Sequence, residues 1–108
     1  MTWPTTNTKY GNRKVEVDGF LFDSKREANR YSELRLMQMA GVITELECQP
    51  RFDLYVNDAY LGFYRGDFRY VDRKGNIVVE DVKGVRTPVY RLKKKLMKAI
   101  HSIDVVEI

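Results

Sequence analysis

Val78 to Arg86 read VVEDVKGVR, two carboxylates and a lysine on an apolar stretch that ends in glycine. In a strand, alternate side chains share a face. Ile77, Val79, Asp81 and Lys83 then project one way, and Val78, Glu80 and Val82 the other. Asp81 and Lys83 project together, and Glu80 points away from them. Carboxylate oxygens suit Mg²⁺ or Mn²⁺, which favour hard oxygen ligands, water and phosphate. Such a metal polarises a phosphodiester and acidifies a bound water. The lysine would orient that water or offset charge in a phosphorane-like transition state. The same pattern also describes an exposed Asp–Lys pair worth at most about 1 kcal/mol, and D-x-K alone is too short to separate the two.

A second carboxylate, Asp67, lies in the preceding apolar run, YRGDFRY. Gly66 beside it permits close backbone approach. The turn at Asp72–Asn76 makes these runs antiparallel. Asp72 then pairs near Ile77, and Asp67 arrives near Val82, within a residue of the level of Asp81 and Lys83, with element boundaries good to about 2–4 residues. Two carboxylates there repel unless a cation lies between them. Glu27 is the third candidate. It sits in SKRE, the S-x-x-E capping box, which explains it as a helix cap. It also lies in line with Tyr31, Leu34 and Gln38 at helical spacing, so it can approach a sheet-borne metal from the first turn. The sequence leaves both roles open.

Rival chemistry is sparse. His101 is the only histidine, which excludes paired-histidine zinc and His-Asn-His patterns. Cys48 is the only cysteine, so it forms no disulfide within the chain; a lone thiol fits a reducing compartment. It reads as a small core residue. There is no P-loop. The seven tyrosines read as core-edge residues rather than base-stacking platforms. Trp3 is the exception, an aromatic on an N-terminal arm.

The net charge is +4 over 108 residues, and its distribution says more than its sum. From Val82 to Ile103 there are seven Lys or Arg and no acid. A basic segment beside an acidic cluster points to a polyanion with a cation between them; a solvated helix face is the plainer reading. No apolar run approaches the ~20 residues of a membrane span. The opening MTWPTTNTKYG lacks a signal peptide's apolar stretch. A cytoplasmic protein without membrane contact is expected.

Residues 1–12 read as a flexible arm and 13–108 as one domain. RKVEVDGFLFDS reads as a hairpin about Asp18-Gly19. Ser24 caps a helix that runs to Gly41. VITELECQPRFDLYV reads as one or two strands bent at Gln49-Pro50. Asn57-Asp58 is a turn, AYLGFYRGDFRYV one long strand, and IVVEDVKG a short one. Thr87 and Pro88 open a second helix, with Val89, Leu92, Leu96 and Ile100 as its core face. IDVVEI is a last strand, parallel to IVVEDVKG through a helical crossover. The expected class is α/β in the broad sense, an α+β mixed sheet flanked by two helices.

Taken together these pieces resemble the PD-(D/E)xK nuclease superfamily over roughly residues 24–108. Its restriction-endonuclease-like core, α-β-β-β-α-β, matches the element order after the hairpin. The helix-borne acid matches Glu27, and the PD acid matches Asp67, with Gly66 in place of the often-varied proline. The (D/E)xK element matches Asp81-Val82-Lys83, followed by Gly84. SKRE…GVITELECQPRFDL also resembles a segment of transposon end-cleaving nuclease subunits. The whole chain is similar to small phage endonucleases grouped with Holliday-junction resolvases.

The resemblance implies a Mg²⁺- or Mn²⁺-dependent endonuclease acting on DNA, with branched or junction substrates expected in phage DNA processing inside a bacterial host. Glu27, Asp67 and Asp81 would hold the metal and Lys83 would assist the water. Lys93 becomes a candidate auxiliary cation, and Arg86, Arg91, Lys94, Lys95 and Lys98 become candidates for DNA phosphates. Two cuts across a junction would suit a homodimer. The alternatives are a non-catalytic DNA-binding or assembly subunit with the same fold, and an RNA nuclease or RNA-binding module.

Overall fold

The structure, a computed structural model, describes residues 14–82 and 85–108. The expected arm, with Trp3 and Tyr10, and the pair Lys83-Gly84 lie outside the described residues.

Two short strands, β1 (Val15–Val17) and β2 (Phe20–Phe22), pair antiparallel. Their turn places Asp18 and Gly19 at positive φ, the combination that matches strand twist in a tight hairpin. Helix α1 (Lys25–Met39) follows. Ser24 Oγ accepts from the Glu27 N–H at 3.1 Å, satisfying one of the unpaired donors of the first turn. Ala28, Tyr31 and Leu34 form its buried stripe.

Strand β3 (Thr44–Cys48) and strand β4 (Arg51–Val56) are separated at Gln49-Pro50, where Gln49 takes a positive φ. Strand β5 (Ala59–Arg65) returns along β4 through Asn57-Asp58. Strands β6 (Phe68–Val71) and β7 (Ile77–Asp81) form the next hairpin. Its turn is held by Asp72 Oδ1, which accepts from the N–H groups of Lys74 and Asn76 at 2.9 Å. Helix α2 (Pro88–His101) is capped by Thr87. Strand β8 (Val106–Glu107) lies parallel to β7, as expected.

The main sheet has the order β3-β6-β7-β8 and is mixed, with one parallel pair beside two antiparallel ones. The run AYLGFYRGDFRYV, expected as one strand, is two. It breaks at Gly66-Asp67, beside the break at Gln49-Pro50. Gly66 N–H donates to Pro50 O at 3.0 Å, and Gln49 N–H donates to Asp67 O at 2.8 Å. The two breaks are thus stitched together, and the β4–β5 hairpin departs from the main sheet as a unit.

Adjacent β7 residues divide the interior. Val78 packs toward α1 and the first hairpin, with Phe22, Tyr31, Leu34, Phe68 and Tyr70. Val79 packs toward α2 and the β4–β5 hairpin, with Leu54, Tyr64, Tyr90, Met97 and Val105. Alternation therefore gives the sheet a core on each face. Each fully buried side chain of this size contributes about 1.5–3 kcal/mol. The expected face of α2 needs correction: Val89 and Leu92 are exposed, while Tyr90 and Met97 are buried and Leu96 and Ile100 partly so. The helix is rotated so that the Tyr90 phenol can reach Glu107 on β8 at 2.8 Å.

Candidate functional site

Asp81 ends β7 and is 3% exposed. Its Oδ2 accepts from the Tyr64 hydroxyl at 2.5 Å, so β5 orients it. Asp67 follows the strand break. The register pairs Val71 with Ile77, one residue from the expected pairing, and so brings Asp67 level with Asp81. Asp67 N–H donates to Glu80 O at 2.9 Å, and Asp67 Oδ2 accepts from Val82 N–H at 2.6 Å. Its carboxyl is clamped by the backbone across from it. Gly66 makes this approach feasible, since a Cβ there would lie 2.9 Å from Val79 Cγ1.

Glu27 reaches the same place from α1. Its N–H is capped by Ser24, while its carboxyl comes within hydrogen-bonding reach of the Ser24 hydroxyl and of Asp67. Capping and approach to the sheet coexist because they use different atoms. Asp67 is the hub, within hydrogen-bonding reach of Glu27 on one side and Asp81 on the other. Burial, reinforced by the charges of Glu27 and Asp81, pushes its carboxyl up to about 8 against the opposing bond from Val82. Glu27 is also raised, chiefly by burial and then by Asp23. Three crowded carboxyl groups keep a proton because their charges cannot all be accommodated.

Among the described residues, no three His, Cys, Asp or Glu side chains are gathered as a ready ligand set. The contacts are pairwise through Asp67. The donor chemistry, all carboxylate oxygen, suits a hard divalent cation, and such a cation would take the place of the retained proton.

Glu80 faces the other way, as alternation requires. It is 1% exposed and receives a two-pronged bond from Arg30, Nε to Oε1 at 2.8 Å and an Nη to Oε2 at 2.7 Å. The Tyr70 hydroxyl donates to the same carboxylate. This residue holds α1 to the sheet, a role the sequence reading did not give it.

The basic candidates divide. Glu107 accepts from Tyr90, from Arg86 Nε at 2.8 Å, and pairs with Lys94 at 3.3 Å. These donors lower its carboxyl to about 2. Lys98 pairs with Asp104 at 2.9 Å. Arg91 and Lys95 are exposed. Lys93 Nζ lies 5.2 Å from the centre of the Phe63 ring. Lys83 lies outside the described residues.

Of the tyrosines, Tyr31, Tyr64, Tyr70 and Tyr90 are buried, whereas Tyr55 and Tyr60 are half exposed and pack on each other at 5.2 Å. Cys48 is partly buried, and burial pushes its thiol up to about 11, which leaves it a poor nucleophile at neutral pH. Tyr64 and the Val82 N–H were missed in the sequence, because partners of a carboxylate carry no spacing signal. Two concavities of about 490 and 460 Å³ border the β6–β7 turn. Neither is lined by the candidate residues Glu27, Asp67 or Asp81.

The described residues thus form a mixed α+β fold with a mixed sheet and two helices, and Asp67 lies between Glu27 and Asp81 near the end of β7. A family model described as "Protein of unknown function (DUF1064)" matches residues 7–105, and the chain belongs to that family. No curated protein and no solved structure matches the chain. No described helix is long and apolar enough to cross a membrane.

Proposed function

We propose that this protein is a divalent-metal-dependent DNA endonuclease with a restriction-endonuclease-like core of the PD-(D/E)xK kind. The observation that carries the reading is Asp67, buried between Glu27 on one side and Asp81 on the other. Glu27, Asp67 and Asp81 come from α1, a strand break and the end of β7, and Asp67 retains a proton to about pH 8. Nothing in fold stability favours such crowding, so a ligand that rewards it is the natural explanation.

In this reading Glu27, Asp67 and Asp81 would hold Mg²⁺ or Mn²⁺. The bound ion would supply Lewis acidity toward the scissile phosphate and a more acidic water. The Tyr64 hydroxyl keeps Asp81 oriented, and the Val82 N–H fixes one oxygen of Asp67. Both constraints preorganise the carboxylates before substrate arrives. Lys83, two residues along the chain from Asp81, would position the attacking water or offset developing charge. Exposed Arg91 and Lys95 would meet substrate phosphates. Arg86, Lys94 and Lys98 are paired with acids and would contribute after exchanging those partners. Branched substrates would require two cuts, which a homodimer supplies.

Linear and branched DNA incubated with Mg²⁺ or Mn²⁺ should be cut by the native chain and left intact by Asp81→Asn. Equal cutting by the variant, or none by either protein on any substrate, sinks the reading.

A further inference from the structure

Three cations surround one aromatic ring on the β4–β5 hairpin. The Phe63 ring centre lies 4.0 Å from Arg51 Cζ, 5.2 Å from Lys93 Nζ and 5.9 Å from Arg65 Cζ. They come from β4, α2 and β5, so folding assembles the group. Arg51 and Arg65 are direct cross-strand partners. Like charges at that position oppose each other. Asp53, 3.4 Å from Arg51 and linked to it through Tyr60, is the one carboxylate the described ion pairs place in the group. Arg65 and Lys93 have no acidic partner among the described residues. The ring's negative face offsets part of the repulsion and holds the cations near it, but two positive charges remain uncompensated.

We propose that Arg51, Arg65 and Lys93, gathered on Phe63, form a binding site for the backbone phosphates of DNA on the β4–β5 hairpin. The proposal rests on the nuclease reading and identifies where the substrate strand is gripped. Arg65 is two residues from Asp67, and Arg51 follows Pro50, whose carbonyl accepts from Gly66. Two extended residues span at most about 7 Å, or roughly two phosphate rises along one strand. Arg65 and Asp67 are thus close enough along the chain for one DNA strand to contact both. Lys93, expected as an auxiliary cation of the reacting centre, is reassigned to binding. Exposure of the Arg51 side chain, 51%, leaves its remaining donors accessible.

The test is fluorescence anisotropy of labelled duplex and single-stranded DNA with the full chain, in EDTA, over a salt series. Lys93→Gln and Arg65→Gln should each lower the slope of log affinity against log salt by about 0.9 on duplex, or about 0.7 on a single strand. At 0.1 M salt each should weaken binding about fivefold to tenfold. Lys93→Arg should retain the native slope, which separates a charge role from a folding defect. Arg73→Gln, at the turn on the far end of the β6–β7 hairpin, is the control and should change neither quantity. Unchanged slopes in both glutamine variants, or no affinity of the native chain for either DNA, overturn the site. Cleavage assayed with Mg²⁺ on the same preparations separates the two ideas. Cutting with unchanged slopes removes this site alone; reduced slopes without cutting remove the nuclease reading and leave the site standing.

Discussion

Asp67 and Glu80 are neighbours across the β6–β7 hairpin, yet their surroundings treat charge in opposite ways. Glu80 is buried but satisfied by Arg30 and Tyr70. Removing it leaves Arg30, only 21% exposed, with the exposed Glu33 at 3.0 Å as its remaining acid, and leaves the Tyr70 hydroxyl without its acceptor. Glu80→Ala should therefore lower stability by about 1–3 kcal/mol, measured by urea denaturation, while cleavage per folded molecule persists. Asp67 is crowded by Glu27 and Asp81, and its carboxyl titrates near 8 rather than at 3.8. Between those values the folded chain binds a proton that the unfolded chain has lost. Stability of the metal-free protein should then fall as pH rises from about 4 to about 8 and level off above. Asp67→Asn keeps an oxygen for the Val82 N–H and removes the charge, so it should flatten that decline and stabilise the metal-free protein at pH 8. Denaturation curves in EDTA at pH 5 and pH 8 decide this; an unaltered difference between the two would show that Asp67 is not the titrating group.

At the scale of elements, the site depends on a broken strand. AYLGFYRGDFRYV has the composition of one continuous strand, and its apolar alternation carries no mark of the break. What divides it is the pairing of Gly66 with Pro50 and of Asp67 with Gln49. Local propensity sees neither bond, since both connect residues far apart in sequence. The bend frees Asp67 to turn its carboxyl toward Val82. Gly66→Ala would push a methyl against Val79 Cγ1, a contact of 2.9 Å with a β-branched core side chain. That overpacking should cost about 1–3 kcal/mol and should also weaken metal binding, because Asp67 must shift with its neighbour. Calorimetric titration with Mn²⁺ beside thermal unfolding reads both effects; native metal affinity in a destabilised variant would refute the coupling. The turn of α2 away from its expected face has a similar cause. Val89 and Leu92 match an apolar helical stripe, but the hydrogen bond of Tyr90 to Glu107 and the burial of Met97 turn the helix away from them.

Across the whole molecule, three carboxyl groups arrive from both sides of the sheet. Glu27 descends from the helix that packs on Val78, and Asp81 lies on the face of Val79. A cation held between them would link the two halves, and any ligand that binds only the folded state stabilises it. Mn²⁺ at about 100 times its dissociation constant should raise stability by about 2.7 kcal/mol, seen as an upward shift in Tm. Asp81→Asn should abolish the shift. Loss of the shift only on mutation of residues remote from the cluster would place the metal elsewhere. The sequence by itself determined the hairpin at Asp18-Gly19, both helices with their caps, the parallel return of β8, and the opposite directions of Glu80 and Asp81. These follow from turn chemistry, capping and strand alternation, which act over a few residues. Tertiary structure alone decided the departure of the β4–β5 hairpin, the buried Arg30–Glu80 pair, the Tyr64 bond to Asp81 and the gathering of cations on Phe63. Each joins side chains distant in the chain, and such contacts are set by packing and burial, which leave no periodic trace in the residues that make them.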